Sequence, residues 1–134
     1  MSIAIATALQ TSFGDAVART REALAAQGFG VLTEIDMRAT LKKKLDTDME
    51  DYLILGACNP PLAHRAVTVD RQIGLLLPCN VVVRTDPADD TRVLVEAMDP
   101  QLLVAVTGEP ALQDVADEVA AKLWAAIAAL GGAG

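Results

Sequence analysis

The triplet Asn59-Pro60-Pro61 limits what this chain can fold into more than any other stretch, because it ends an apolar run abruptly. Upstream lies Tyr52-Leu-Ile-Leu-Gly-Ala-Cys58, a short hydrophobic segment with the length of a buried strand. Neither proline can donate to a sheet ladder, so the strand stops there. A helix starts well at the same place. Asn59 is a favourable N-cap, and Pro60 suits the first helical position, whose N–H would have no partner anyway. The helix is predicted to run through about Val67. A second apolar segment, Leu75 to Arg84, reads as the next strand, with Pro78 marking an edge or bulge beside Cys79. A helical crossover between neighbouring strands makes them parallel. That offsets Cys58 from Cys79 along the sheet and predicts two free thiols.

The rest of the chain supplies the layers. Ile3, Ile5 and Leu9 recur at odd positions, giving a first strand with one buried face. Ser12 caps a helix that Gly28 ends, with Phe13, Ala16, Val17, Thr20 and Leu24 on one face. Phe29, Val31, Thr33 and Ile35 alternate with Gly30, Leu32, Glu34 and Asp36 as a second strand. Asp36 caps a short helix with Met37, Leu41 and Leu45 in a single stripe. Asp86-Pro-Ala-Asp-Asp90 is a turn cluster, after which Arg92 to Ala97 pairs back as a hairpin strand. Asp99-Pro100 opens a short helical segment through about Val104. Gly108-Glu-Pro110 breaks it, and Leu112, Val115, Val119, Leu123, Ile127 and Leu130 stripe a long last helix.

The order βαβαβαββα predicts an α+β layer fold, a mixed five-stranded sheet with helices packed against it. Its 134 residues suit one domain, 1–130, with 131–134 as a disordered glycine-rich tail.

Charge narrows the partners. Eighteen acidic residues against 11 basic leave a net charge of −7, which repels phosphate backbones and anionic lipid, so no nucleic acid and no membrane partner is expected. The lysines at 42–44 are followed by Asp46, Asp48, Glu50 and Asp51 and read as a self-compensated surface. No targeting or membrane-spanning segment is visible, and two cysteines are too few for a disulfide framework, so a reducing cytoplasm is expected. A homodimer is expected through a sheet edge or through the last helix, whose apolar coverage extends to Trp124, Ala125 and Ala128.

Chemistry-bearing residues concentrate at the two strand ends. Ser2 and Ser12 are the only serines and neither sits in a nucleophile elbow; there is no glycine-rich phosphate loop. The candidate ligand-binding residues are Cys58, Asn59, His64, Cys79 and Asn80. Cys58 precedes an N-cap, where the helix dipole and backbone N–H groups favour a thiolate. Cys79 shares a strand face with Leu75, Leu77, Val81 and Val83 and is expected to be buried. Asn80 falls within an apolar strand, where its amide needs partners. His64 lies one turn into the helix.

The pairing of Ile-Leu-Gly-Ala-Cys58-Asn-Pro-Pro-Leu-Ala-His64 with Gly-Leu-Leu-Leu-Pro-Cys79-Asn-Val-Val-Val closely resembles the signature of a bacterial and archaeal family, domain of unknown function 302. Glu96-Ala-Met-Asp-Pro100 is also similar, so the resemblance covers nearly the whole chain. It implies a compact α+β domain, often dimeric, and it assigns no biochemical activity and no cofactor. The expected function is a small non-enzymatic cytoplasmic module that binds a ligand or partner at the Cys58-Asn59-Pro60 junction. Two alternatives stand beside it. One is a thiol- or metal-dependent enzyme or redox sensor using Cys58, Cys79 and His64, three ligands that would leave an open position on zinc. The other is a purely structural assembly protein.

Overall fold

The computed structural model of the protein describes residues 3–131. Along the chain run β1 (Ala4–Leu9), α1 (Phe13–Ala26), β2 (Gly30–Asp36), α2 (Met37–Leu45), β3 (Tyr52–Cys58), α3 (Pro60–Val69), a 3-10 segment (Arg71–Leu76), β4 (Cys79–Asp86), β5 (Asp89–Met98), α4 (Gln101–Thr107), a 3-10 turn (Pro110–Leu112) and α5 (Gln113–Gly131). The helix starts follow capping chemistry. Ser12 Oγ accepts from the Asp15 N–H at 3.1 Å, and Asp36 Oδ1 from the Ala39 N–H at 2.9 Å. Gly28, just past α1, has φ +84°, a conformation that an L side chain resists.

The five strands form one sheet in the order β1-β5-β4-β3-β2, and every pairing is antiparallel. The α+β layer architecture is thus the expected one, with an antiparallel sheet in place of a mixed one. The physical reason lies between β3 and β4. A ten-residue helix travels about 15 Å and the six-residue 3-10 segment about 12 Å. The two legs pack against each other as an out-and-back excursion, so β4 starts at the edge where β3 ended, with Cys79 opposite Ala57. The strand predicted from Leu75 therefore begins only at Cys79. Leu75 is 84% exposed in the 3-10 segment and shares no face with Cys79.

Alternation then separates two faces. Ile5, Leu55, Val81, Val83, Val93 and Val95 are buried under α1, α3, α4 and α5 in one core, each side chain worth about 1.5–3 kcal/mol of burial. The long helix α5 buries Val115, Val119, Leu123, Ile127 and Leu130 against this layer, as its stripe predicts, and leaves Trp124 outside. The other face carries rows such as Ile35, Ile54, Val82, Glu96 and Ala6 across the five strands.

Edge strand β2 departs from the predicted alternation. A bulge between Val31 and Thr33 moves Thr33 and Ile35 to the face opposite Val31, and Phe29 is buried just before the strand begins. Gly131 closes α5 rather than opening a tail; residues 132–134, the remainder of the predicted disordered tail, lie outside the described residues. No described helix is long and apolar enough to cross a membrane.

Candidate functional site

The strand-to-helix junction is built as the sequence predicts. Asn59 is extended (φ −100°, ψ 104°) and its Oδ1 accepts from the Leu62 N–H at 3.4 Å, while the Ala63 N–H bonds the Asn59 carbonyl at 2.8 Å. Asn59 Nδ2 reaches the Gln27 carbonyl at 3.5 Å, tying this junction to the end of α1. That approach is close on the α1 side. A Cβ on Gly28 would lie 3.1 Å from Asn59 Nδ2.

This construction has a chemical consequence for the predicted anion or thiolate site. Pro60 and Pro61 carry no N–H, and the next two N–H groups are already committed to Asn59. The first turn of α3 therefore has no free donor to offer a thiolate or an anion. The dipole remains, but the hydrogen bonds that make a helix N-terminus an anion cradle are used up.

Beneath the junction is a small, partly open pocket of about 30 Å³. Cys58, Asn59 and Cys79 line it together with apolar side chains that include Phe29, Leu62 and Leu103. Cys58 is half-buried and Cys79 is 5% exposed; both are free thiols. Burial, with a smaller contribution from the Cys58 charge, pushes the Cys79 thiol from its ordinary value of 9.0 up to about 11. Both thiols are free, as expected, but the parallel offset given as the reason does not hold. In the antiparallel register Cys79 faces Ala57, so Cys58 is offset from it by a single residue and alternation turns it toward the other side of the sheet.

The other two predicted residues lie elsewhere. Leu62 and Ala66 are the buried positions of α3, and His64, two residues from each, points away and is exposed. It flanks a surface groove with Arg65, Thr68 and Asp114. Asn80 is exposed on the uncovered sheet face, next in strand to Cys79 and on the opposite side. Its amide is open to solvent, so the partners expected from a buried strand are not needed. The set Cys58, Cys79, His64 is thus not assembled, and among the described residues no three His, Cys, Asp or Glu side chains are grouped to hold a metal ion.

Sequence reasoning missed the far wall of the cavity. Leu103 of α4, with Val115 and Val119 of α5, closes it from across the helix layer. Val115 and Val119 were legible as an apolar stripe, but no local signal says which strand end a stripe covers. Outside, a groove of about 520 Å³ runs between α3 and α5; it shares Asn59 and Leu62 with the cavity and is edged by Arg65, Glu118 and Lys122. Arg65 pairs with Glu118 across this groove.

Comparison with known proteins agrees with this architecture. No curated protein matches the chain. A solved structure described as an uncharacterized conserved protein DUF302 from Bacillus stearothermophilus superposes with a TM-score of 0.87 at 26% identity, covering 97% of this chain and 99% of that one. The family model for the domain of unknown function DUF302 matches residues 5–130, almost the full length described, and the two cysteine motifs fall inside it. With the fold and both motifs in place, the chain belongs to the DUF302 family.

Proposed function

We propose that this domain is a small non-enzymatic binding module of the cytoplasm, with its site at the Cys58-Asn59-Pro60 junction. The observation that carries the reading is the small, partly open pocket beneath that junction, where Cys58, Asn59 and Cys79 meet apolar walls. Its size decides what enters. Typical ligand pockets measure roughly 300–1,000 Å³, whereas about 30 Å³ holds a group of about the size of a water molecule. The module takes the tip of a ligand into the cavity, with the body along the adjoining groove past Asn59 and Leu62. With no free N–H on the first turn of α3, the tip is neutral or soft rather than anionic.

Titrating isotopically labelled protein with small neutral molecules such as acetamide and dimethyl sulfide tests this. Amide shifts are expected at Ala57, Cys58, Asn59, Leu62, Ala63, Leu77 and Cys79, and Ala66→Leu, which fills the cavity from α3, is expected to abolish them. Shifts confined to the uncovered sheet face, insensitive to Ala66→Leu, would overturn the site.

A second reading concerns association. The sheet face opposite the buried one carries Tyr52, Ile54, Val82 and Leu94, all half-buried. Its central charges, Arg84 and Glu96, neutralise each other at 2.6 Å. A second copy therefore meets no uncompensated charge there, despite the net −7. The proposed homodimer packs these faces together rather than using Trp124 of α5. Light scattering that shows a monomer at tens of micromolar, an order-of-magnitude concentration at which mass action favours dimers, would remove it.

A further inference from the structure

We propose that the site at the start of α3 takes a short aliphatic monocarboxylate, its methyl end in the pocket and its carboxylate at the ammonium of Lys122. The inference rests on the binding-module reading and names the class of its ligand. The pocket of about 30 Å³ admits a group of about the size of a water molecule, and walls such as Phe29, Leu62, Leu103, Val115 and Val119 make a methyl group the fitting occupant. The groove of about 520 Å³ outside shares Asn59 and Leu62 with the pocket and is edged by Arg65, Glu118 and Lys122. Along this seam α3 and α5 run in opposite directions. Thr68 and Val69 share a groove with Ala111 and Asp114, and Arg65 pairs with Glu118. One turn back on α3 and one turn on along α5, Pro61 falls level with Ala121 and Lys122. Lys122 therefore stands at the end of the groove that meets the pocket.

Charge selects the carboxylate. The chain carries −7 overall, yet in this groove two cations meet one carboxylate, and Arg65 already holds that carboxylate. Lys122 is half-buried, and among the described residues its ammonium has no ion-pair or hydrogen-bond partner. A single anionic group on the ligand supplies the missing counter-charge. The macrodipole of α3, positive at the same end, adds to the attraction. A phosphate group fits less well, because it carries roughly −1.5 to −2 of charge and is cradled at a helix start by several backbone N–H groups. Here Pro60 and Pro61 have none, and those of Leu62 and Ala63 are bonded to Asn59. One ammonium and no free N–H match one carboxylate.

The experiment titrates the full, isotopically labelled chain at low salt with straight-chain carboxylates from butanoate to hexanoate. Each is compared with its primary amide, which has the same shape and no charge. At the best-fitting length the carboxylate is expected to bind about tenfold more tightly than its amide, the margin of a charge-assisted hydrogen bond, with shifts at Cys58, Asn59, Leu62 and Cys79. Added salt is expected to narrow the margin. Lys122→Gln, with unchanged circular dichroism, is expected to remove the margin while leaving the affinity for the amide as it was, and Lys122→Arg to keep most of it. Equal binding of carboxylate and amide by the wild type, or a margin that survives Lys122→Gln, overturns the carboxylate and leaves the module. Carboxylate shifts centred on the lysines at 42–44 rather than on the pocket do the same. If neither the carboxylates nor the neutral molecules shift the pocket amides, both readings fall.

Discussion

Cys58-Asn59 and Cys79-Asn80 are the same dipeptide, each beside a proline, and the fold uses them in opposite senses. In the first, Pro60 follows the pair, the backbone leaves the sheet, and Asn59 turns inward to cap α3. In the second, Pro78 precedes the pair and the backbone enters the sheet. Alternation then sends Cys79 into the core and Asn80 to the uncovered face. The lesson is that the position of proline relative to a Cys-Asn pair decides whether the asparagine caps a helix or lies exposed on the sheet. Chemical identity alone would have treated the pairs as equivalent.

The largest way to break this comparison is a charge. Cys79→Asp places a carboxylate among Val81, Leu103 and Phe29 with no cation in reach and is expected to cost ~3–5 kcal/mol, as an uncompensated buried charge does. Asn80→Asp, on the solvent side of the same strand, stays within about 0.5 kcal/mol. Urea unfolding of the two variants measures the contrast directly. Equal losses would mean that the two sides of β4 are equally covered.

Next in size is pH. The Cys79 thiol is raised from 9.0 to about 11 in the folded protein, so between those values the folded chain binds more protons than the unfolded one. Stability from this group is full below pH 9 and is lost as pH rises through 11, by about 2–3 kcal/mol at 1.36 kcal/mol per unit. The quantity to measure is the difference between wild type and Cys79→Ala, whose slope is expected to be flatter. Parallel slopes would place Cys79 in contact with water.

A third test sharpens the role of the residue opposite Asn80. Gly56 pairs with Asn80, and a Cβ there would lie 2.1 Å from Thr33 Oγ1 and 2.8 Å from Pro78 Cγ. Thr33 sits on an exposed edge strand and can rotate; the Pro78 ring cannot. Gly56→Ala is expected to cost ~1–2 kcal/mol by overpacking, read as a shift in denaturation midpoint. No shift would show that the β3–β4 end is loosely packed.

How far these contrasts were legible in sequence follows from which interactions are local. The Ser12, Asp36 and Asn59 caps, the α5 stripe and the β4–β5 hairpin are set by neighbours within a turn or two, and they were readable. The antiparallel pairing of β3 and β4 was not. It depends on Arg71–Leu76 folding as a return leg, and Gly74-Leu-Leu-Leu77 reads equally as strand by hydrophobicity. The bulge at β2 was hidden for the same reason, since alternation alone gives no sign of one extra residue. For the site, the cap and the burial of Cys79 were readable. The spent N–H groups were implied by two adjacent prolines, but the exclusion of His64 required knowing which face of α3 meets the sheet.

The smallest effect is the most direct test of the two asparagines. Asn59 Oδ1 bonds the Leu62 N–H at 3.4 Å and Nδ2 reaches the Gln27 carbonyl at 3.5 Å, both at the long end of hydrogen-bond range. Asn59→Ala is therefore expected to cost about 1 kcal/mol, in the lower half of the range for lost caps, and Asn59→Asp to retain most of the capping. Asn80→Ala is expected to stay within about 0.5 kcal/mol, because its side chain is exposed. The comparison is informative in its dependence on protein concentration. A cost at Asn80 that is absent in dilute protein and grows as the chain is concentrated would show that a second copy covers the open sheet face and depends on that amide. A cost at Asn80 equal to that at Asn59 and independent of concentration would mean that both asparagines are structural, and the distinction drawn between the two motifs would fail.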